Sequence, residues 1–267
     1  MSRGSQWFDA LLGKADSADV SVRFADSEWH TERVRLIAVV PKPNARFPRA
    51  RKGQVGIEEG WEIAAGVHAA VAADQGGRPR AIVLVVDVPG QAFGYHEEAL
   101  ALHESLAAAA DAYASARLAG HPVAALIVGK AISGAFLAHG LQAGALLALD
   151  DAEIEVHVMS QASVARVTRR SEAEVAALAK IVPSTARDVR SFASLGALDR
   201  LLQVDNADSP SSRDVENVRA ILLDAIDDLR ARPRELRQRL ETSAAKQTRA
   251  LSIKVRNALE AQWDAAP

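Results

Sequence analysis

The sequence contains no cysteine. This excludes disulfide bonds, a thiolate nucleophile and cysteine-ligated metals, so any chemistry must come from other groups. No apolar run approaches the roughly 20 residues that a membrane helix needs. The N-terminal residues MSRGSQWFDA also carry no apolar signal core. We therefore expect a soluble, cytoplasmic protein that does not bind membranes.

The charge balance and the glycine spacing exclude further classes. A formal net charge of −2 gives no overall attraction to nucleic acid or membrane, so any basic partner site must be local. Residues 129–134 lack the Lys-Ser/Thr of a phosphate loop, and no GxGxxG opens a helix, which argues against ATP and NAD. The seven histidines are dispersed without an HExxH pattern, so we predict no metal.

Apolar runs and turn residues predict alternating strands and helices. Such a series forms right-handed crossovers, which predicts an α/β fold whose sheet is at least partly parallel, with the functional loops at the carboxyl ends of the strands. Strands are expected at 34–40, 81–88 and 122–128, and helices at 60–73 and 97–118. Three loops should therefore converge, at 41–56, 87–94 and 129–135.

The turn at Ser133, Gly134 and Ala135 is the most informative of these loops. It follows a buried strand, opens a helix of small residues and carries almost no side chain. A ligand could therefore reach backbone N–H groups at the start of the helix. Such a turn is suited to hold an oxyanion.

Two basic clusters allow two interpretations each. The loop after the first strand carries Arg46, Arg49, Arg51 and Lys52, and the C-terminal region carries five arginines within residues 230–239 beside Glu235. The loop is either a solvated surface or a contact for phosphate or an acidic protein, and the C-terminal cluster is either a solvated helix face or a docking site for an acidic protein. His139 and His157 are likewise either structural or acid–base residues. Farther along the chain, Ser171 and Glu174 predict a helix-capping box, and Pro233 predicts a helix break.

Several motifs, in order along the chain, resemble one family. Residues 87–90 (DVPG), 130–136 (KAISGAF) and 152–156 (AEIEV) are similar to the Asp-x-Pro-Gly turn, Lys-Ala-x-Gly-Gly-Ala turn and Ala-Glu-Ile-x-Val strand of crotonase-superfamily carboxyltransferases. The overall layout, with its arginine-rich helical tail, most resembles the gamma subunits of biotin-independent malonate decarboxylases. Ser133 departs from the glycine that is common at its position.

The resemblance implies a crotonase-like (ClpP/crotonase) fold, a spiral of ββα units with a helical C-terminal extension. The expected parts are an N-terminal segment (1–33), a carboxyltransferase domain (34–210) and the extension (211–267). The implied partners are a homologous beta subunit, an acyl carrier protein and an acyl-transferase subunit. Malonyl thioester on the carrier's phosphopantetheine-type group would lose carbon dioxide to give acetyl thioester. No biotin and no directly bound cofactor are expected.

The resemblance also implies roles for individual residues. The N–H groups of Gly134 and Ala135 would form the catalytic oxyanion hole. Substrate-binding positions would be Gly90, Gln91 and Ser133, and the basic loop residues Arg46, Arg49, Arg51 and Lys52 are candidates for carrier binding.

Three alternatives stay open. The chain could be the alpha-type subunit of a biotin-dependent acyl-CoA carboxyltransferase. It could be a caseinolytic-type serine hydrolase using Ser133 and His157, although alignment through residues 134–136 places Ile132 at the nucleophile position and no third residue is evident. It could also be a passive scaffold whose partner supplies all the chemistry.

Overall fold

A seven-stranded sheet forms the centre of the computed structural model, which describes residues 1–15, 18–232 and 234–264. The strand order is β1-β2-β3-β4-β5-β7, and β6 pairs with β4. All pairings are parallel except the β1–β2 hairpin, so the predicted parallel crossovers are confirmed. The strands are β1 Val22–Trp29, β2 Glu32–Val39, β3 Ala81–Val88, β4 Val123–Ile132, β5 Ala145–Leu149, β6 Glu155–His157 and β7 Arg200–Leu202.

Helices cover the sheet and form the C-terminal region. Residues 81–86 of β3 and 123–128 of β4 are fully buried, which is typical of parallel strands covered on both faces. The pairs α2/α4 and α1/α9 pack on each other and on the sheet. The helices are α1 Arg3–Leu12, α2 Ile57–Ala73, α3 Tyr95–Ala99, α4 Leu102–Leu118, α5 Ser133–Ala138, α6 Gln161–Thr168, α7 Glu172–Ala179, α8 Val189–Ser194, α9 Ser212–Ala231, α10 Ser243–Thr248 and α11 Ala250–Asp264.

The long helix predicted at 97–118 is in fact two helices. Ala101 has φ +60°, a left-handed conformation that ends α3 and starts α4 in a new direction. Alanine and leucine favour helix at this point, so composition gave no signal for the break. Most other predicted elements lie within a few residues of their expected positions, and the Ser171–Glu174 capping box is confirmed. Among the described residues, no helix is long and apolar enough to cross a membrane.

Strand β4 is longer than predicted and has two successive neighbours on the side away from β3. Its first half pairs with β5, whereas residues 130–132 pair with 155–157 of β6. The change occurs at a bulge, because Val86 faces Ile127 while Val88 faces Ala131. Asp87 therefore lies opposite three residues of β4, and such a bulge bends the strand that carries it. This bend directs the end of β4 towards β6.

The side chain of Asp87 occupies the space at the bulge. Its carboxylate accepts hydrogen bonds from the N–H of Lys130 and the N–H of Gly4, each at 3.0 Å. A Cβ at Gly129 would lie 2.2 Å from a carboxylate oxygen of Asp87, so only glycine fits there. Asp87 thus joins the N-terminus of α1 to the bend of β4.

The arginines of residues 230–239 anchor the C-terminal region to the body of the protein. Guanidinium groups of Arg232, Arg234 and Arg239 donate to the carbonyls of Gly144, Leu118 and Leu141, respectively. Arg230 donates to the carbonyl of Pro79, and Arg237 pairs with Glu260. The contacts of Arg230, Arg232, Arg234 and Arg239 with the body favour the structural interpretation of this cluster, whereas Arg237 pairs within the C-terminal region. Helix α9 ends at Ala231; the predicted break at Pro233 lies outside the described residues.

Replacing Asp87 by alanine should destabilise the fold. The substitution leaves two backbone N–H groups without their charged acceptor, so we expect the free energy of unfolding to fall by about 3 kcal/mol. Urea denaturation followed by circular dichroism measures this. As a control, Asp111→Ala on the exposed surface of α4 should change stability by less than about 0.5 kcal/mol. Equal stability of the two variants would contradict the role of Asp87.

Candidate active site

The turn between β4 and α5 contains one residue with an unusual backbone conformation, Ser133. Ser133 has φ +58°, a left-handed conformation that is uncommon outside glycine. The residue before the helix, Ile132, makes no side-chain capping hydrogen bond, and Ser133 is itself the first residue of α5. Gly134 is partly accessible, whereas Ala135 is fully buried. Gly134 is therefore the member of the pair that is partly exposed.

The N–H of Gly134 already has a hydrogen-bond partner. It donates to the side-chain oxygen Oε1 of Gln91 over 2.9 Å. A Cβ at Gly134 would lie 3.2 Å from the same oxygen and 3.5 Å from Leu106. A larger residue at this position would therefore crowd the Gln91 side chain. The structure therefore brings together two of the predicted site residues, Gly134 and Gln91.

The other two predicted loops meet at the same place. The N–H of Val55 donates to the carbonyl of Gly90 over 3.1 Å, and the N–H of Ala92 donates to the carbonyl of Val55 over 2.8 Å. Gly90 has φ +139°, which non-glycine residues rarely adopt. Together with the Gln91–Gly134 contact, these bonds confirm the predicted convergence of the three loops.

The basic loop lies beside this convergence, and its charges face outward. The side chain of Arg46 is 80% exposed and that of Arg49 is 58% exposed, and their pairs with Glu58 and Glu97 are long, at 3.9 and 3.7 Å. Arg51 and Lys52 are exposed as well. Arg46 and Arg49 are exposed and only distantly paired, so their charges are available to an approaching partner.

His157 lies next to the turn in a partly buried ionic group. It is paired with Ile132 in the β4–β6 ladder, and its Nε2 lies 3.3 Å from Glu155, which also accepts from Arg187 at 3.0 Å. Burial, with the Arg187 cation adding to it, lowers the pKa of His157, so the ring is neutral near pH 7. Sequence reasoning missed Glu155 and Arg187. The spacing of Glu155 and His157, two residues apart on a strand, places them on one face and was a usable signal.

A serine-hydrolase arrangement does not form. Within the described residues no hydrogen bond joins Ser133 to His157, and the only carboxylate near the ring, that of Glu155, is shared with Arg187. The described residues also contain no group of three histidine, aspartate or glutamate side chains that could hold a metal ion.

Comparison with known proteins identifies the family. A family model described as the malonate decarboxylase gamma subunit (MdcE) matches residues 50–263. The chain belongs to this family. Two structures of Pseudomonas malonate decarboxylase contain a chain that is 49% and 48% identical, with TM-scores of 0.92 and 0.88. One is a hetero-tetramer with coenzyme A and the other an MdcD–MdcE hetero-dimer. Each match covers 98% of this chain and 100% of the other.

More distant relatives extend the comparison. The malonyl-S-ACP:biotin-protein carboxyltransferase MADD of Malonomonas rubra is 37% identical over 191 residues, which is 70% of this chain. The chain spans 62% of the length of that relative. A chain of transcarboxylase 12S, at 19% identity and a TM-score of 0.60, matches 80% of this chain and 38% of its own. It shares the fold, and the predicted crotonase-like fold is confirmed.

In this malonate decarboxylase family member, His139 is structural. The residue is fully buried; its Nδ1 lies 3.0 Å from the hydroxyl of Tyr113, and its Nε2 lies 3.2 Å from the carbonyl of Val85. Since the carbonyl can only accept, Nε2 carries the proton and Nδ1 accepts from Tyr113. Burial lowers the pKa of His139 to about 4. The neutral ring joins α4 to β3 and does not reach the site.

The buried His139 should make stability depend on pH. Its pKa is about 4 when folded and 6.5 when unfolded, so between these values the unfolded state binds the proton. The free energy of unfolding should be highest above pH 6.5 and fall by up to about 3 kcal/mol towards pH 4. His139→Gln should flatten this slope in urea titrations, whereas His103→Gln on the exposed part of α4 should not. An unchanged slope in the first variant would refute the assignment.

Proposed function

We propose that this chain is one of the two homologous subunits of a biotin-independent malonate decarboxylase. With a beta subunit it removes carbon dioxide from a malonyl thioester carried by an acyl carrier protein, leaving an acetyl thioester. The observation that carries the proposal is the Gly134 N–H, held by the Gln91 side chain in a partly exposed turn, in a chain that belongs to the malonate decarboxylase gamma family.

The chemistry requires a fixed hydrogen-bond donor. Loss of carbon dioxide from a malonyl thioester leaves an enolate whose charge collects on the former carbonyl oxygen. Donors that already point at this oxygen stabilise the transition state more than the neutral substrate, and each is worth on the order of 10²–10³ in rate. In our proposal the N–H groups of Gly134 and Ala135 are these donors, while Gly90, Gln91 and Ser133 line the thioester site.

A partner subunit covers the exposed apolar residues around the turn. Phe93 is 62% exposed, Tyr95 is 85% exposed and Leu137 on α5 is 51% exposed. Large apolar side chains clustered beside a polar turn are typical of an interaction surface. The hetero-dimer of the Pseudomonas relative supports a beta subunit as the occupant.

The malonyl group arrives on a flexible arm. We propose that Arg46, Arg49, Arg51 and Lys52 contact an acidic acyl carrier protein, whose phosphopantetheine-type group then reaches the nearby turn. The coenzyme A complex of the Pseudomonas relative supports a thioester of this chemistry. An acyl-transferase subunit of the same complex would load the carrier. The chain itself then needs neither biotin nor a metal.

A biotin-dependent carboxyltransferase is the second candidate, because the Malonomonas relative is named for that reaction. In that case the enolate-stabilising turn would serve transfer of carbon dioxide to biotin. The longer and closer match to the Pseudomonas decarboxylase chains favours release of free carbon dioxide. Avidin inhibition of the assembled complex would reverse this preference.

Gly134→Val should abolish decarboxylation by an intact complex. The side chain would fill the space above the Gly134 N–H, so we expect kcat/KM to fall by a factor of about 10²–10³. Carbon dioxide release from malonyl carrier protein measures the rate, and co-elution with the beta subunit tests assembly. Gly77→Val is the matched control, because a Cβ there lies 3.7 Å from its nearest neighbour in an exposed turn. Normal turnover by Gly134→Val would favour the passive-scaffold alternative.

Charge reversal in the basic loop should weaken only the carrier-bound substrate. For the double variant Arg46→Glu/Lys52→Glu we expect KM for malonyl carrier protein to rise about tenfold, since each exposed charge contributes up to about 1 kcal/mol. KM for malonyl-coenzyme A should stay within twofold. The control Arg213→Glu/Lys246→Glu makes the same charge change elsewhere on the surface. An equal rise for both substrates would argue against carrier binding by the loop.

A further inference from the structure

The side chain of Gln91 is held in the site by a single hydrogen bond. Its Oε1 accepts from the N–H of Gly134 over 2.9 Å, and in the described structure no other group bonds to the side-chain amide. The backbone on either side is fixed, because Gly90 and Ala92 both bond to Val55. The side chain can therefore rotate away while the turn that carries it stays in place.

We propose that Gln91 is a positioning residue whose amide oxygen occupies the Gly134 donor until the substrate oxygen displaces it. The inference rests on the proposed function, since it takes the Gly134 N–H as the donor to the thioester oxygen. The amide carbonyl of Gln91, like a thioester carbonyl, is a planar, neutral hydrogen-bond acceptor. It keeps the donor oriented and excludes water from it in the free enzyme.

The exchange discriminates between the ground state and the transition state. A neutral thioester carbonyl replaces a neutral amide carbonyl, so the hydrogen bond contributes little net affinity when the substrate binds. The enolate oxygen carries charge, and charge-assisted hydrogen bonds are roughly twice as strong as neutral ones. The donor therefore contributes mainly after carbon dioxide begins to leave, which is the condition under which binding energy raises kcat.

The first arm of the test is kinetic and uses the complete complex with malonyl carrier protein. Gln91→Met keeps the length of the side chain but removes the acceptor, so the substrate meets a free donor. We expect KM to fall about fivefold, the factor of one neutral hydrogen bond, and kcat to fall by a smaller factor, because the substrate oxygen then has to orient the donor. Gln91→Ala should change KM in the same direction. Gln75→Met, at an exposed position, should change neither constant. An unchanged or raised KM in both Gln91 variants would overturn the inference.

The second arm tests the contact without any activity. In the full chain labelled with ¹⁵N-glycine, the Gly134 amide signal can be assigned by its loss in Gly134→Ala. Gln91→Met should move this amide proton upfield, because it loses its acceptor, and leave the signals of distant glycines such as Gly77 unchanged. An unmoved Gly134 signal would overturn the inference. If the wild-type complex releases no carbon dioxide, the proposed function fails, and this spectrum still decides whether Gln91 holds the donor.

Discussion

The candidate site depends on a bend in β4, at the point where this strand passes Asp87 of β3. One carboxylate lies opposite three residues of the neighbouring strand, so β4 must bulge, and the bulge changes its neighbour from β5 to β6. Without that change, the strand would continue alongside β5 and Ser133 would lie elsewhere. The two N–H groups that bond to Asp87, of Gly4 and Lys130, make the bend part of the core and not a loose end. The position of Gly134 is thus set one strand away, by a side chain that does not contact it.

At the opposite end of the sheet, where the parallel strands begin, ion pairs hold the chain segments together. Asp74 is buried between Arg80 and Arg33, and hydrogen bonds from Arg80 hold the pKa of Asp74 far below its usual range. Arginines of the C-terminal region bind carbonyl groups at the starts of strands and the ends of helices. These groups satisfy acceptors that would otherwise be unpaired. The charged groups at this end are therefore paired within the chain, while the end with the glycine turn keeps exposed apolar and basic side chains.

The sequence predicted what depends on local pattern. Continuous apolar runs predicted β3 and β4, and alternation with helices predicted a parallel sheet whose loops converge. Three features depended on tertiary contacts and were missed: the left-handed Ala101 that divides a helix, the extension of β4 beyond residue 128, and the antiparallel strand β1. Each is decided by what a residue meets across the fold, and neighbouring residues in the sequence do not reveal it. The division into residues 1–33, 34–210 and 211–267 stays a prediction.

The candidate site also combines one feature that the sequence predicts with one that depends on tertiary contacts. Gly134 could be selected from the sequence because a residue without a side chain opens a helix there, and the family resemblance gave it a role. The contact with Gln91 could not be predicted, since it depends on a side-chain conformation that exists only when two loops meet. Its consequence is physical: a donor that already has a neutral acceptor is oriented before substrate arrives. Orientation costs nothing further at the moment of reaction, and that is when fixed dipoles accelerate a step most. In the function that we propose, a donor at a strand end that is held by one neutral acceptor suits a reaction in which charge appears only in the transition state.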